Sequence, residues 1–220
     1  MSLKSNPEIA HLILAAGSSS RMGEPKQLLP WGDTNLIGHS IQQSLLLKNT
    51  SIHVVLGANY NAIYNKIKHF PIQILENVDW ESGMGTSIQY GIQWIQQDNL
   101  SYDAVLISLI DQPLLGSIHF EALKELFNKN TNRIVATDLG EGVIGVPAII
   151  PAIFFDELSG LQADHGARYV IKKNIDNVKT VLASTRGVDI DTIAEYKNVI
   201  KRYFLPKTTN KNTDLCSDKK

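Results

Sequence analysis

The stretch LILAAGSSSRMGEPKQLLP, Leu12 to Pro30, runs from an apolar segment of strand character into a loop of small and polar residues. Gly17, Ser18, Ser19, Ser20 and Gly23 carry little side-chain bulk, so backbone N–H groups there can turn toward a phosphate chain. Arg21 and Lys26 supply the positive charge that a triphosphate needs. The spacing is neither G-x-x-x-x-G-K-[ST] nor G-x-G-x-x-G, which makes this a third kind of nucleotide loop. A plain glycine turn after a buried strand, with Arg21 and Lys26 merely solvated, leaves two cations on one short loop unexplained.

Outward from this loop, short β-rich runs alternate with longer helical patterns, the mark of a layered α/β domain with a mainly parallel sheet. Strands are expected at Ile9–Ala15, Ser51–Leu56, Pro71–Leu75, Asp103–Leu109, Arg133–Thr137, Val146–Ile149 and Lys179–Ala183. The near-continuous apolar run Asp103–Leu109 belongs at the sheet centre. Helices are expected over Asn35–Leu47, from Gly57 through Lys68, over Gly85–Gln97 and Ser117–Lys129, as a pair across Ala152–Asn174, and from Thr192 to Tyr203. No repeat or interdomain linker interrupts the pattern. The expectation is one domain over residues 1–205 and a disordered polar tail at 206–220, where apolar residues are scarce.

The chain has 220 residues, enough for a continuous core, and its net charge of −1 argues against a general nucleic-acid binder. The single Cys216 cannot form an internal disulfide. No apolar run approaches a membrane span, and the N-terminal apolar run lacks the pattern of a signal peptide. The expected location is cytoplasmic, with no membrane partner.

Ligands of open α/β sheets sit outside the carboxyl ends of the strands, and several unusual segments fall there. Asp111, at the end of the central strand and two residues before Pro113, can present its oxygens to the crevice. Mg²⁺ takes one or two carboxylates and completes its shell with water and phosphate oxygens, so Asp111 is the first candidate ligand, although an Asp before Pro also simply starts turns. In Val188-Asp-Ile-Asp-Thr192, the acids Asp189 and Asp191 point to one side if the chain is extended. Thr192 and Glu195 form a potential capping box, and Asp191 is expected mainly to serve that helix N-terminus. Asp189 has no such explanation. No Ser-His-Asp spacing, Cys/His cluster or nucleophilic cysteine competes.

The opening stretch resembles the signature L-A-A-G-x-S-x-R-M-G-x-x-K of nucleotidyltransferases with a GT-A-like fold, and within them it is most similar to molybdenum cofactor cytidylyltransferases and their relatives. The resemblance implies a three-layer α/β/α sandwich of Rossmann-like, GT-A-like type. It implies nucleotide contacts from Leu14, Ala15, Ala16, Gly17, Ser18, Ser19, Ser20, Arg21, Met22, Gly23 and Lys26. It adds Asn77, Gly83, Met84 and Ser87, which resemble an N-x-x-x-x-x-G-M-x-x-S stretch, with Gly83 and Gly85 admitting close approach of the backbone. Trp80 is either a loop anchor or a stacking platform. Asp111 resembles the metal-binding acid of a D-x-P motif, with Ile110 where Gly is usual, and Asp189 resembles the second metal-binding acid. Lys26, Arg21 and Asp111 are then the catalytic residues and Mg²⁺ the cofactor.

On the acceptor side, Gly145 and Pro147 resemble a G-x-P element, and Asp164, Gly166 and Arg168 an L-x-G-D-x-G-A-R element. Val146 and Ala163 depart from those patterns. Arg168 either clamps an acceptor phosphate or pairs with Asp164, and His165 is expected as an exposed helix-start residue. The implied reaction is attack by an acceptor phosphate on the α-phosphorus of an NTP with loss of pyrophosphate. Ala15-Ala16-Gly17 resembles the branch that uses CTP, with molybdenum-bound molybdopterin as acceptor and a molybdoenzyme or its chaperone downstream. A sugar phosphate or other phosphorylated alcohol as acceptor, and a non-catalytic nucleotide- or cofactor-delivery module, are the alternatives.

Overall fold

Ile9–Leu14 is buried along its whole length and forms β1, flanked in parallel on both sides by β4 (Thr50–Leu56) and β6 (Ala104–Leu109). A strand covered on both faces is mostly apolar, which is why these segments read as near-continuous runs instead of alternations, broken by the buried His11, His53 and Ser108. The computed structural model describes residues 6–98, 100–183 and 187–204. The tail expected at 206–220, with Cys216, lies outside them.

The other elements, in chain order, are β2 (Pro30–Trp31), β3 (Thr34–Asn35), α1 (Leu36–Leu45), α2 (Tyr60–Ile67), β5 (Gln73–Glu76), α3 (Met84–Gln97), α4 (Ser117–Asn128), β7 (Ile134–Asp138), β8 (Ile144–Pro151), α5 (Phe155–Ser159), α6 (Ala167–Lys173), β9 (Val178–Leu182) and α7 (Ile193–Tyr203). Among the described residues the main sheet has seven strands in the order β5-β4-β1-β6-β8-β7-β9, with β6 in the middle. Of these strands, β8 runs antiparallel to both of its neighbours. The short connection through Gly140 and Gly142, both at positive φ, turns the chain straight back from β7 and so reverses β8. From β1 the chain winds outward to β4 and β5, then crosses to β6 on the other side of β1. The carboxyl ends of β1 and β6 therefore flank the switch point, where such sheets open a crevice.

Helices cover both faces. Ile88 and Ile92 of α3 and Val170 and Ile171 of α6 pack with Leu12, Leu14 and Val105 on one face. Ile37, Ile41 and Ile63 pack with Ile13 and Val54 on the other, continued by Phe120, Leu123 and Phe127 of α4. The three-layer expectation holds, with informative differences at the ends. Asn35 caps α1 through a bond from the Gly38 N–H instead of joining it. Asn59 adopts a left-handed conformation, so α2 begins at Tyr60. The helical pair expected across Ala152–Asn174 is shorter than its pattern, because residues 160–166 leave the helices as a loop. The β2–β3 hairpin, turned at Gly32, has no alternating pattern to announce it. Among the described residues no helix is long and apolar enough to cross a membrane.

Candidate active site

The loop after β1 turns through Ser19 and Gly23, both left-handed, around a short helical turn Ser20–Met22. Gly23 lies at φ 73°, a conformation that costs glycine nothing. Met22 departs from the expectation of nucleotide contact. Its side chain is buried with Leu29, Trp31, Leu36, Ile190 and Val199, a small cluster that roots the loop on α7. The Ser19 hydroxyl accepts the Lys26 N–H at 3.1 Å. Gln27, which the sequence left unmarked, is fully buried and donates to the carbonyls of Ala15 and Gly17, both at 2.8 Å.

Lys26 Nζ lies 2.8 Å from Asp111 Oδ2 and 3.1 Å from Asp191 Oδ1, while Arg21 reaches Asp191 Oδ2 at 3.0 Å. The segment carrying Asp191 is drawn to the end of β6 by the Ile190 N–H donating to the Asp111 carbonyl at 2.8 Å. Asp191 thus corrects the expectation that it serves mainly to cap. Thr192 is the N-cap of α7 and completes the capping box with Glu195, leaving the Asp191 carboxylate for the two cations. Asp189 is exposed and accepts from Gln112 Nε2 at 2.9 Å, so the acid that shares a cation with Asp111 is Asp191. Asp189 and Asp191 do alternate around the buried Ile190, as their spacing suggests, but their partners differ.

Burial disfavours the Lys26 ammonium, yet the charge of Asp111 and hydrogen bonds to Asp111 and Asp191 outweigh it and hold its pKa above the ordinary lysine value. Burial pushes the Asp111 carboxyl up against the pull of Lys26, and the charges of Asp189 and Asp191 add to the rise. The Asp191 carboxyl is partly buried, which favours its neutral form, but Lys26 and Arg21 hold it below the usual range. Asp111 Oδ1 is buried with no hydrogen-bond partner among the described residues. An unpartnered buried carboxylate oxygen is costly unless a cation or donor completes it.

Lys26 and Asp111 open on a cleft of about 330 Å³ lined also by Leu14 to Ser18, Trp80, Gly83, Met84 and Ser87, among others. Ser19, Ser20, Arg21, Met22 and Gly23 stand outside its wall, and so does Asn77. Asn77 is buried and donates to Thr86 Oγ1 and Ser87 Oγ, each at 3.0 Å, while its Oδ1 accepts the Asp79 N–H. It braces the turn before α3 instead of facing the cleft. Trp80 is both anchor and wall, since its Cβ and Cγ press so closely on Gly57 that no other residue fits there.

Gly83 and Gly85 are also required by packing. A Cβ on either would collide with backbone carbonyls of residues 162–165, and the Gly85 N–H donates to the Ala163 carbonyl at 2.8 Å. The loop carrying Asp164 and Gly166, which leads into α6 and Arg168, is thereby joined to the cleft wall, with Gly166 against Met84. Asp164 reaches His165 Nε2 at 3.9 Å and makes no ion pair with Arg168, which is exposed. His165 is half-buried and stacked on Tyr169, with ring centroids 4.2 Å apart. Gly145 and Pro147 open β8, whose antiparallel register against β6 brings them to the same end of the sheet as Asp111. The Pro147 carbonyl accepts the Thr137 hydroxyl at 2.6 Å.

Residues 11–178 match the MobA-like NTP transferase domain. The chain is 30% identical over 207 residues to the purine catabolism protein PucB of Bacillus subtilis, covering 88% of this chain and 97% of that protein. It is 30% identical over 200 residues to the nicotine blue oxidoreductase of Paenarthrobacter nicotinovorans, covering 86% and 95%. The molybdenum cofactor cytidylyltransferase of Escherichia coli is 26% identical over 204 residues, covering 87% and 95%. The crystal structure of Rv0371c from Mycobacterium tuberculosis superposes with a TM-score of 0.77 at 20% identity, over 90% of this chain and 100% of that one. With a glycine- and serine-rich loop after β1, acids at the switch point and a domain match over most of its length, this chain belongs to the MobA-like NTP transferase family of nucleotidyltransferases.

Proposed function

We propose that this protein transfers CMP from CTP to a phosphorylated acceptor, molybdenum-bound molybdopterin, and releases pyrophosphate. The observation that carries the proposal is the meeting of Lys26, Asp111 and Asp191 at the mouth of a cleft walled by the β1 loop. Support for the acceptor comes from the relative named molybdenum cofactor cytidylyltransferase. The residues also suit a divalent cation. Asp111 and Asp191 are hard oxygen donors converging on one positive charge, and the orphaned Asp111 Oδ1 leaves a coordination position open. Asp111 and Asp191 would hold Mg²⁺, with Asp189 adding negative charge nearby. When bound, the metal neutralises phosphate charge and polarises the phosphorus under attack.

The chain's own residues then position the reactants. Lys26 exchanges its two carboxylates for phosphate oxygens when the nucleotide arrives, and the β1 loop offers backbone N–H groups to the same chain of phosphates. Arg21, exposed at the rim, adds charge to the departing pyrophosphate. A phosphate oxygen of the acceptor forms the new bond to the α-phosphorus as the bond to pyrophosphate breaks, and Lys26 neutralises the leaving group. The acceptor phosphate is already ionised at neutral pH, so no general base is needed. Gly145, Pro147, Asp164, Gly166 and Arg168 stand on the acceptor side of the cleft in this proposal. A molybdoenzyme or its chaperone would receive the product.

Pyrophosphate release with each NTP, with and without molybdopterin, tests the proposal. Release that requires both CTP and molybdopterin is the expected result. Release only with a sugar phosphate replaces the acceptor, and nucleotide binding without release under any condition supports a delivery module.

A further inference from the structure

We infer that Gln27 is the positioning residue that sets the triphosphate loop, acting through the backbone it holds and not by touching substrate. The inference deepens the proposed nucleotide site and rests on it. Beyond β1 the chain leaves the sheet. The Ala15 N–H still donates to the Val55 carbonyl and the Ala16 carbonyl accepts the Ala58 N–H, both at 2.9 Å. The carbonyls of Ala15 and Gly17 are instead taken by one group, since both hydrogens of the Gln27 amide are spent on them at 2.8 Å.

In a trans peptide the C=O and the following N–H point in opposite directions. Tying the carbonyls of Ala15 and Gly17 to Gln27 therefore turns the N–H groups of Ala16 and Ser18 away from that amide. Ala16 and Ser18 both line the cleft, so these two N–H groups are the ones the loop can offer an anion. The remaining Gln27 oxygen faces Ser19 Oγ at 3.4 Å, and Ser19 Oγ in turn holds the Lys26 N–H. Gln27 and Lys26 share one helical turn, Lys26–Leu28, so a buried Gln27 also fixes where the Lys26 stem departs. A single neutral side chain thus sets both parts of the anion site, the loop amides and the ammonium.

Gln27→Met keeps the length of the side chain and removes its donors, and inorganic tripolyphosphate probes the loop without base or acceptor. The expected result is a folded variant, with wild-type circular dichroism, that binds tripolyphosphate about tenfold or more weakly, with KM for the nucleotide raised and KM for the acceptor unchanged. A folded variant that binds tripolyphosphate as the wild type does overturns the inference. Should Gln27→Met fail to fold, amide resonances of the wild type decide. Ala16 and Ser18 N–H signals should move on tripolyphosphate addition, and their standing still while other loop amides move overturns the inference. Wild-type protein that binds neither tripolyphosphate nor CTP removes the nucleotide site itself, and the role of Gln27 with it.

Discussion

Lys26 is held by two carboxylates that would otherwise repel each other, and it is the residue whose loss tests the site most sharply. Lys26→Met should lower kcat on the order of 10²- to 10³-fold, the usual cost of removing one charged group aimed at a transition state. Steady-state kinetics checks this, with a thermal melt to show that the fold persists. Asp111→Asn should abolish turnover as well, while leaving the variant able to bind tripolyphosphate. Lys26 and Arg21 could be singled out in the sequence as two cations on one short glycine loop, whereas Asp111, which could equally start a turn before Pro113, needed the resemblance to the D-x-P motif. Asp191 was not legible, since an acid before a capping Thr has a sufficient local explanation, and only the approach of the Ile190 N–H to the Asp111 carbonyl reveals the other one. Gln27 left no signal because a buried neutral amide has no periodicity or charge pattern. Met22 and Asn77 are the converse case. Both stand in motif positions, yet one packs into the core and the other braces a turn.

Between elements, the contact that matters most is the turn before α3 against the loop before α6. Gly85→Ala would push a methyl group into the carbonyls of Gln162 and His165. The expected cost is about 1–3 kcal/mol in denaturant unfolding, the range for overpacking a filled site. Because the displaced loop carries Asp164 and leads into α6 with Arg168, KM for the acceptor should rise more than KM for the nucleotide. At the other end of the cleft, Thr192→Ala should cost about 0.5–2 kcal/mol as a lost N-cap, and it should reduce turnover because the same cap fixes the segment that presents Asp191. The positions of the helices were legible from their apolar spacing, while their ends were not. Asn35, Asn59 and Thr192 decide where helices begin through side-chain bonds or backbone conformation, which spacing does not record. The requirement for glycine at Gly83 and Gly85 was visible, but its cause, a loop eighty residues away, became clear only from the packing.

Across the whole molecule, the alternation of strands and helices announced a mainly parallel sheet and the near-continuous apolar run Asp103–Leu109 placed β6 at its centre, whereas the reversal of β8 depends on a turn with little apolar patterning. The same sheet buries His11 completely, with Nε2 and the Ser108 hydroxyl 2.8 Å apart. Burial, together with the charges of His53 and Lys124, lowers the His11 pKa from 6.5 to about 3. The unfolded chain takes up this proton near the ordinary histidine value and the folded chain resists it, so the contribution to stability is complete above pH 6.5 and falls as the pH drops toward 3. At about 1.4 kcal/mol per pH unit in that window, the loss at pH 5 should be about 2 kcal/mol. His53, whose pKa is also lowered by burial, acts in the same direction. Denaturant midpoints at pH 7.5 and pH 5 check the slope, which His11→Asn should flatten. The most direct test of the account is to supply CTP labelled at the α-phosphorus together with molybdenum-bound molybdopterin and to follow the label. The account predicts that the label moves into a cytidine dinucleotide as pyrophosphate is released in equal amount. Label that stays in CTP or appears only as free CMP would contradict it.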